Sequence, residues 1–404
     1  MGKSSRLVIA GIALSALILA GWAFWYFRQN SQNGQVTDQS TDAVSVGKAL
    51  SNQKCSGTEA GTLTKLPMNL DDFAMIIPYG LVTDAHVTPI DHQYYSPTVF
   101  NSPRDTYPVF AMADARLVEI ESRDTERGIE YRMVFTMSCT FLYYYDLVTS
   151  LAPDIKAEYD LKKNSQGYTR NIDISVTAGQ EIGKIGGQTL DFAVWDTTKP
   201  LAGFVNPASY QTEQWKIYTA DPLDYVTPEI RQQMINKYLR TVEPISGKID
   251  YDVDGRLIGN WFLEGTNGYA GATGNTSGDY WAGHLSIAPE YIDPTAYIVS
   301  FGNYQEEAKQ FSIPRGSTSP AEVSTATGLV KYELRDWNYI KENGTNWDRD
   351  TLAKNLKLEN SGTQSHGCVL LQLMEDQKLK MEAFPGKKCS QVSGFTAAAK
   401  FYTR

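Results

Sequence analysis

The chain has 404 residues, 42% hydrophobic, 12% aromatic and 21% charged, enough apolar material for roughly two ordinary domain cores. Lys and Arg number 37 against 46 Asp and Glu, a formal charge of -9, and no basic run alternates with aromatics. Those facts argue against a surface that tracks nucleic-acid phosphates. With 24 tyrosines and abundant Thr, Val and Gly, the expected fold is mainly β.

Residues 7–27, "LVIAGIALSALILAGWAFWYF", form an uncharged apolar run bracketed by Arg6 and Arg28. At ~1.5 Å per residue a helix of this length crosses a ~30 Å hydrocarbon core. A cleaved signal peptide has a shorter apolar region, ~7–15 residues, that ends in a small-x-small site. Here Trp22, Trp25, Tyr26 and Phe27 end it instead, in the manner of an interfacial aromatic belt. Lys3, Arg6 and the amino terminus outweigh Arg28. Residues 1–28 are therefore predicted to be a single-pass transmembrane signal anchor in a cell membrane, N-terminus cytoplasmic and the bulk of the chain extracytoplasmic. Residues 29–61 are polar and poor in large apolar side chains, which predicts a disordered tether.

Four cysteines, Cys55, Cys139, Cys368 and Cys389, suit an exported chain with two disulfides. Four cysteines allow three pairings, and their order suggests Cys55 with Cys139 and Cys368 with Cys389. Residues 62–205 contain runs that alternate apolar and polar residues, such as "ARLVEIESR" and "LDFAVWD", and predict a β domain. Residues 206–243 read as a linker with a helix in "VTPEIRQQMINKYL", where Thr227 can cap, Pro228 takes the first helical position and Glu229 lies in the first turn. Its apolar positions Ile230, Met234, Tyr238 and Leu239 share one face, a short helical bridge between domains. Residues 244–404 predict an antiparallel β barrel or sandwich.

The stretch "DAHVTPIDHQYY", residues 84–95, holds two of the four histidines, His86 and His92, with Asp91 beside the second. On a straight strand His86 and His92 share a parity but stand nearly 20 Å apart at ~3.3 Å per residue, too far for one metal ion. Asp91 has the opposite parity, so cooperation needs a bend, which Pro89 can supply. His284 and His366 are isolated and read as structural. Asn275 and Asn343 stand in Asn-x-Ser/Thr sequons.

Beyond His86 and Asp91, the chain continues with "YPVFAMADARLVEI", "YRMVFTMSCTFLYYYDLV" and "VTAGQEIGKIGGQTLDFAVWD". The ordered series resembles the landmarks of the lysostaphin-type metallopeptidases, zinc endopeptidases that cut peptidoglycan cross-bridges, over residues 75–200. "PVFAMADARLV" (108–118) and "VTAGQEIGKIGG" (176–187) are the most specific parts. In that family a His-x-x-x-Asp pair and the second His of a His-x-His bind zinc, and a strand ends in Tyr-x-His-Leu. Here four residues separate His86 from Asp91, and counting back from Asp91 lands on Val87. Asp146 stands at the family's strand histidine, and Thr189 and Asp191 replace His-x-His. The resemblance thus implies a lysostaphin-like β domain with a degenerate, non-catalytic site and no cofactor. The alternative is an active metalloendopeptidase with His86, Asp91 and Asp191 on zinc and Asp146 as base, although several carboxylates favour harder ions.

In the C-terminal unit, "GNW" (259–261) early and Arg404 at the end resemble the signature of the calycin barrels, in which an Arg packs over a Trp at the barrel floor. That resemblance implies a small-ligand-binding β barrel as a third function. The leading expectation is binding of cell-envelope glycan or peptide by the peptidase-like domain.

Overall fold

Alternating patterns become strands in the first half of the chain: β1 (Phe73–Ile77), β2 (Gln93–Pro97), β3 (Tyr107–Phe110), β4 (Ala115–Thr125), β5 (Gly128–Thr136), β6 (Phe141–Val148), β7 (Glu181–Ile185) and β8 (Leu190–Asp196). The computed structural model describes residues 39–272, 279–362 and 364–404 and is mainly β. One sheet runs β1-β2-β8-β6-β5-β4 with three short strands attached, and β3 and β7 join Ser150–Leu151 in a small second sheet. In β6 and β8, Asp146 lies opposite Asp191, Tyr144 opposite Ala193 and Leu142 opposite Trp195. Period-two alternation then divides the faces. Phe141, Tyr143, Tyr145, Phe192 and Val194 enter one core, whereas Leu142, Tyr144, Ala193 and Trp195 enter another.

Two segments expected to be loosely attached are docked. Helix α1 (Gln39–Leu50) begins inside the expected tether, and Cys55 is disulfide-bonded to Cys139. A Cβ on Gly47 would stand 1.8 Å from the Cys139 carbonyl oxygen, so only glycine permits this approach. A disulfide and a close backbone contact therefore fix a stretch that composition alone reads as free. Helix α2 (Pro228–Lys237) starts as expected, with Thr227 Oγ1 accepting the Ile230 N–H. Its end meets the second half of the chain, where Lys354 Nζ donates to the Ile235 carbonyl at 3.0 Å and Leu239 packs with Tyr291 and Tyr339. Tyr225, Ile230, Met234 and Tyr238 belong to the same buried core as β6 and β8. Residues 43–404 pack as one compact unit, and the expected boundaries at 205 and 243 fall inside it. The expected membrane span, residues 7–27, and Asn275 lie outside the described residues. Among the described residues no helix is long and apolar enough to cross a membrane.

The second half supplies β9 (Gly259–Leu263), β10 (His284–Pro289), β11 (Tyr297–Tyr304), β12 (Glu307–Ser312), β13 (Leu329–Leu334), β14 (Trp337–Ile340), β15 (Lys357–Asn360), β16 (Gly367–Met374), β17 (Lys378–Pro385) and β18 (Lys400–Thr403). An eight-stranded antiparallel sheet runs β12-β11-β10-β9-β18-β17-β16-β13. A bridge between Ser312 and Arg335 brings its ends together into a nearly closed barrel rather than an open sandwich. Cys368 on β16 is disulfide-bonded to Cys389. Trp261, Leu285, Val299, Phe301, Tyr332 and Leu371 fill the interior at 0–1% exposure. A void large enough for a ligand would leave its lining accessible, so this interior is packed core.

At the barrel floor the Arg404 guanidinium lies 4.1 Å over the Trp261 ring and donates to the carbonyls of Ile258 (2.6 Å), Val253 (2.6 Å) and Arg256 (2.7 Å). Gly259 beside it has φ +122°, and a Cβ there would meet Asp252 Oδ1 at 2.2 Å. Removing the guanidinium strands three carbonyls in a buried site. Arg404→Ala is expected to cost about 2–4 kcal/mol in urea unfolding, with Arg404→Lys recovering only part, because an ammonium lacks the planar fork.

Candidate functional site

The stripe Leu142–Tyr144–Asp146 on β6 and Trp195–Ala193–Asp191 on β8 ends in two carboxylates facing each other across the ladder. A turn-rich excursion between β1 and β2 closes over that end. Gly80 N–H donates to the Ile90 carbonyl (2.9 Å), Ile90 N–H to the Leu81 carbonyl (3.0 Å), and Thr83 and His86 form a bridge at the tip. The chain thus doubles back between His86 and His92, and their ring centroids stand 6.1 Å apart. The straight-strand separation expected for the two histidines does not hold, because residues 80–90 form a hairpin-like loop. Asp84 at the tip (φ +45°) is clamped by Gln310 of β12, whose amide accepts from its N–H and donates to its carbonyl, both at 3.0 Å.

His86, Asp91, Asp146 and Asp191 line one cleft of about 490 Å³, together with His92, Arg123, Arg132, Tyr144, Trp215, Lys216, Tyr269 and Tyr280. Asp91 is 4% exposed and both its oxygens are taken. Oδ1 accepts from the Lys216 ammonium at 2.8 Å, and Oδ2 from the Trp215 indole N–H at 2.9 Å. The ammonium also reaches Glu213 at 3.1 Å. His92 lies between Asp91 (Nδ1, 3.5 Å) and Asp191 (Nε2, 3.2 Å), and Tyr94 Oη is 3.1 Å from Nε2. Asp146 pairs with Arg123 and accepts the Leu147 N–H at 2.7 Å. Arg132 stacks between Tyr144 (4.9 Å) and Trp215 (5.2 Å).

The electrostatics follow from burial and pairing. Burial pushes the Asp91 carboxyl up, but Lys216 and His92 more than offset it and hold it well below the usual carboxylate range. Burial pulls the Lys216 ammonium down, and Asp91, Tyr269 and Glu213 raise it well above its ordinary value. Burial, reinforced by Asp146, lifts Asp191 to about 7. His92 is raised, its desolvation outweighed by Asp191 and Asp91. Desolvation, followed by His92 and Lys216, brings His86 down to about 4.

A zinc site needs three ligands converging on an open position. Among the described residues no group of three or more His, Cys, Asp or Glu side chains is arranged to hold an ion. His86, Asp91 and Asp191 share the cleft, but Asp91 already faces a fixed ammonium, and His92 rather than His86 is the imidazole on Asp191. In this arrangement the expected ligand set does not fit the metal. Sequence reasoning missed Trp215 and Lys216, which a 3₁₀ segment (Pro207–Tyr218) carries into the cleft from the stretch read as linker. Their only signal was a lysine between aromatics in "QWKIY".

Two outcomes are expected. Lys216→Met strands a buried carboxylate and should destabilise the fold by about 3–5 kcal/mol in urea unfolding, with much of the loss recovered in Lys216→Met/Asp91→Asn. Asp191 and His92 both hold a proton more tightly folded than unfolded. Their contribution is complete at low pH and is lost as pH rises, for Asp191 from its ordinary 3.8 to about 7 and for His92 above its ordinary 6.5. Asp191→Asn should flatten the fall in the unfolding midpoint between pH 4 and 7.

No protein-family model matches the chain, and no curated protein matches it. The geometry of the cleft is therefore what bears on function.

Proposed function

We propose that the chain is a membrane-anchored, extracytoplasmic cell-envelope protein whose peptidase-like cleft binds envelope glycan or peptide without hydrolysing it. The observation that carries this reading is the Lys216 ammonium on Asp91 at 2.8 Å. A divalent cation placed on that carboxylate would meet a fixed positive charge at contact distance, so the protein supplies its own cation where a hydrolase would hold a metal. The carboxylates at 146 and 191 support it further, since both positions require histidine in the resembled peptidases. Asp146 is instead tied to Arg123.

The cleft is left as a recognition surface. Trp215, Tyr269 and Tyr280 offer aromatic area at little conformational cost, while Arg123 and Arg132 add fixed donors. Such a mixture suits a ligand with apolar faces and many polar edges, as glycans and short peptides have. Two disulfides fit an oxidising compartment outside the cytoplasm. An active metalloendopeptidase would require Lys216 to leave Asp91, and a small-ligand barrel would require a void where Trp261 and its neighbours pack.

The test uses the detergent-solubilised full chain. Calorimetry with muropeptides is expected to show binding that falls about tenfold in Tyr280→Ala, with no cleavage products, and elemental analysis is expected to find far less than one zinc per chain. Near-stoichiometric zinc that disappears in Asp191→Ala, accompanied by cleavage, would overturn the reading.

A further inference from the structure

A second cleft, of about 600 Å³, lies on the other side of the loop that carries Asp91 and His92. Leu81, Val82 and Thr83 of that loop form one wall, whereas His86 and Asp91 face the first cleft. The opposite wall is the β14–β15 hairpin and its long connection, which bring Trp337, Tyr339 and Trp347 together. The polar ends of two of these rings are satisfied inside the protein. Trp347 Nε1 donates to the Thr351 carbonyl at 2.7 Å, and Tyr339 Oη donates to Glu290 at 2.6 Å. They therefore contribute ring surface to the cleft.

Around those rings stand polar groups with no internal partner. Asn338 is exposed on β14, and its carboxamide makes no hydrogen bond among the described residues. The Arg349 guanidinium lies 5.7 Å from the Tyr339 ring centroid and has neither hydrogen bond nor ion pair among the described residues. Among the described residues Arg349 and Asp336 are the only charged ones in the lining, one of each sign, and Asp336 is already held by His366 at 2.7 Å. An aliphatic ligand would strand the guanidinium and the carboxamide on desolvation, and a highly charged one would find no net field to match it. The lining calls for an uncharged molecule with apolar faces and hydroxyl or amide edges, of a size that a few hundred Å³ can take.

We propose that this second cleft binds a short neutral saccharide, with pyranose faces on the Trp337 side and hydroxyl or acetamido groups bonded by Asn338 and Arg349. The choice of a glycan rests on the envelope reading above, but the residues are separate from those of the first cleft. The two sites share one loop, pinned at its tip by Gln310.

The experiment is calorimetry on the full chain with N-acetylglucosamine tetramer, a peptide-free probe. Wild type is expected to bind, Asn338→Ala and Arg349→Ala each to weaken binding about fivefold or more, and the same loss to appear when either is made in a Tyr280→Ala background. Asn338 and Arg349 are exposed, so their removal does not threaten the fold. Trp337→Ala, which also removes packing, is expected to abolish binding and is judged beside the two exposed variants. Unchanged affinity in Asn338→Ala and Arg349→Ala would overturn the assignment. So would failure of the tetramer to bind; if muropeptides still bound in that case, the envelope reading would stand alone. Tetramer binding lost in these variants, with muropeptides refused by the first cleft, would keep this site and remove the other.

Discussion

The Asp91–Lys216 pair is the constraint on which the cleft depends. A carboxylate 4% exposed is sustained only by a cation and further donors at contact distance, and here an ammonium and an indole N–H supply them. Both donors come from the 3₁₀ segment Pro207–Tyr218, while Asp91 closes the loop between β1 and β2. The pair therefore ties two parts of the chain 125 residues apart and fixes one wall of the cleft. His92, adjacent in sequence to Asp91, is carried by the same closure onto Asp191, and Asp191 faces Asp146 through the β6–β8 ladder. A chain of charges, Glu213, Lys216, Asp91, His92 and Asp191, crosses the site.

The features legible in the sequence were those set by local chemistry. Period-two alternation located β4, β5, β6 and β8, and Thr227-Pro228 marked the start of a helix that begins where the cap requires. Cysteine order suggested the two disulfides that are present. Gly259, Trp261 and Arg404 were singled out as a set, and they meet at the barrel floor because a positive-φ glycine and a terminal guanidinium serve the same corner. Asp146 and Asp191 were placed in the candidate site from their positions in the resembled series, and the ladder sets them opposite each other.

The features that stayed hidden depend on contacts between distant residues. Spacing separated His86 from His92 because it treats the chain as straight, and it has no means of registering backbone bonds such as Gly80 to Ile90 that fold residues 80–90 back on themselves. Polar composition marked residues 39–61 as free, yet Gly47 fits against Cys139 and the Cys55 disulfide fastens the chain a few residues further on. Residues 206–243 read as a linker with a short helical bridge, although Tyr225, Ile230 and Met234 complete the first core. Lys216 is the instructive case. A lone lysine in sequence usually means solvent, and only the carboxylate brought from residue 91 makes its burial possible.

The central claim is that the Lys216 ammonium holds the position on Asp91 that a metal would otherwise take. Zinc-soaked crystals measured for anomalous scattering at the zinc edge test this most directly. Lys216 Nζ is expected to remain within hydrogen-bond distance of Asp91, with no anomalous peak on that carboxylate. A zinc peak at about 2.0–2.2 Å from Asp91, with Lys216 displaced, would contradict the claim.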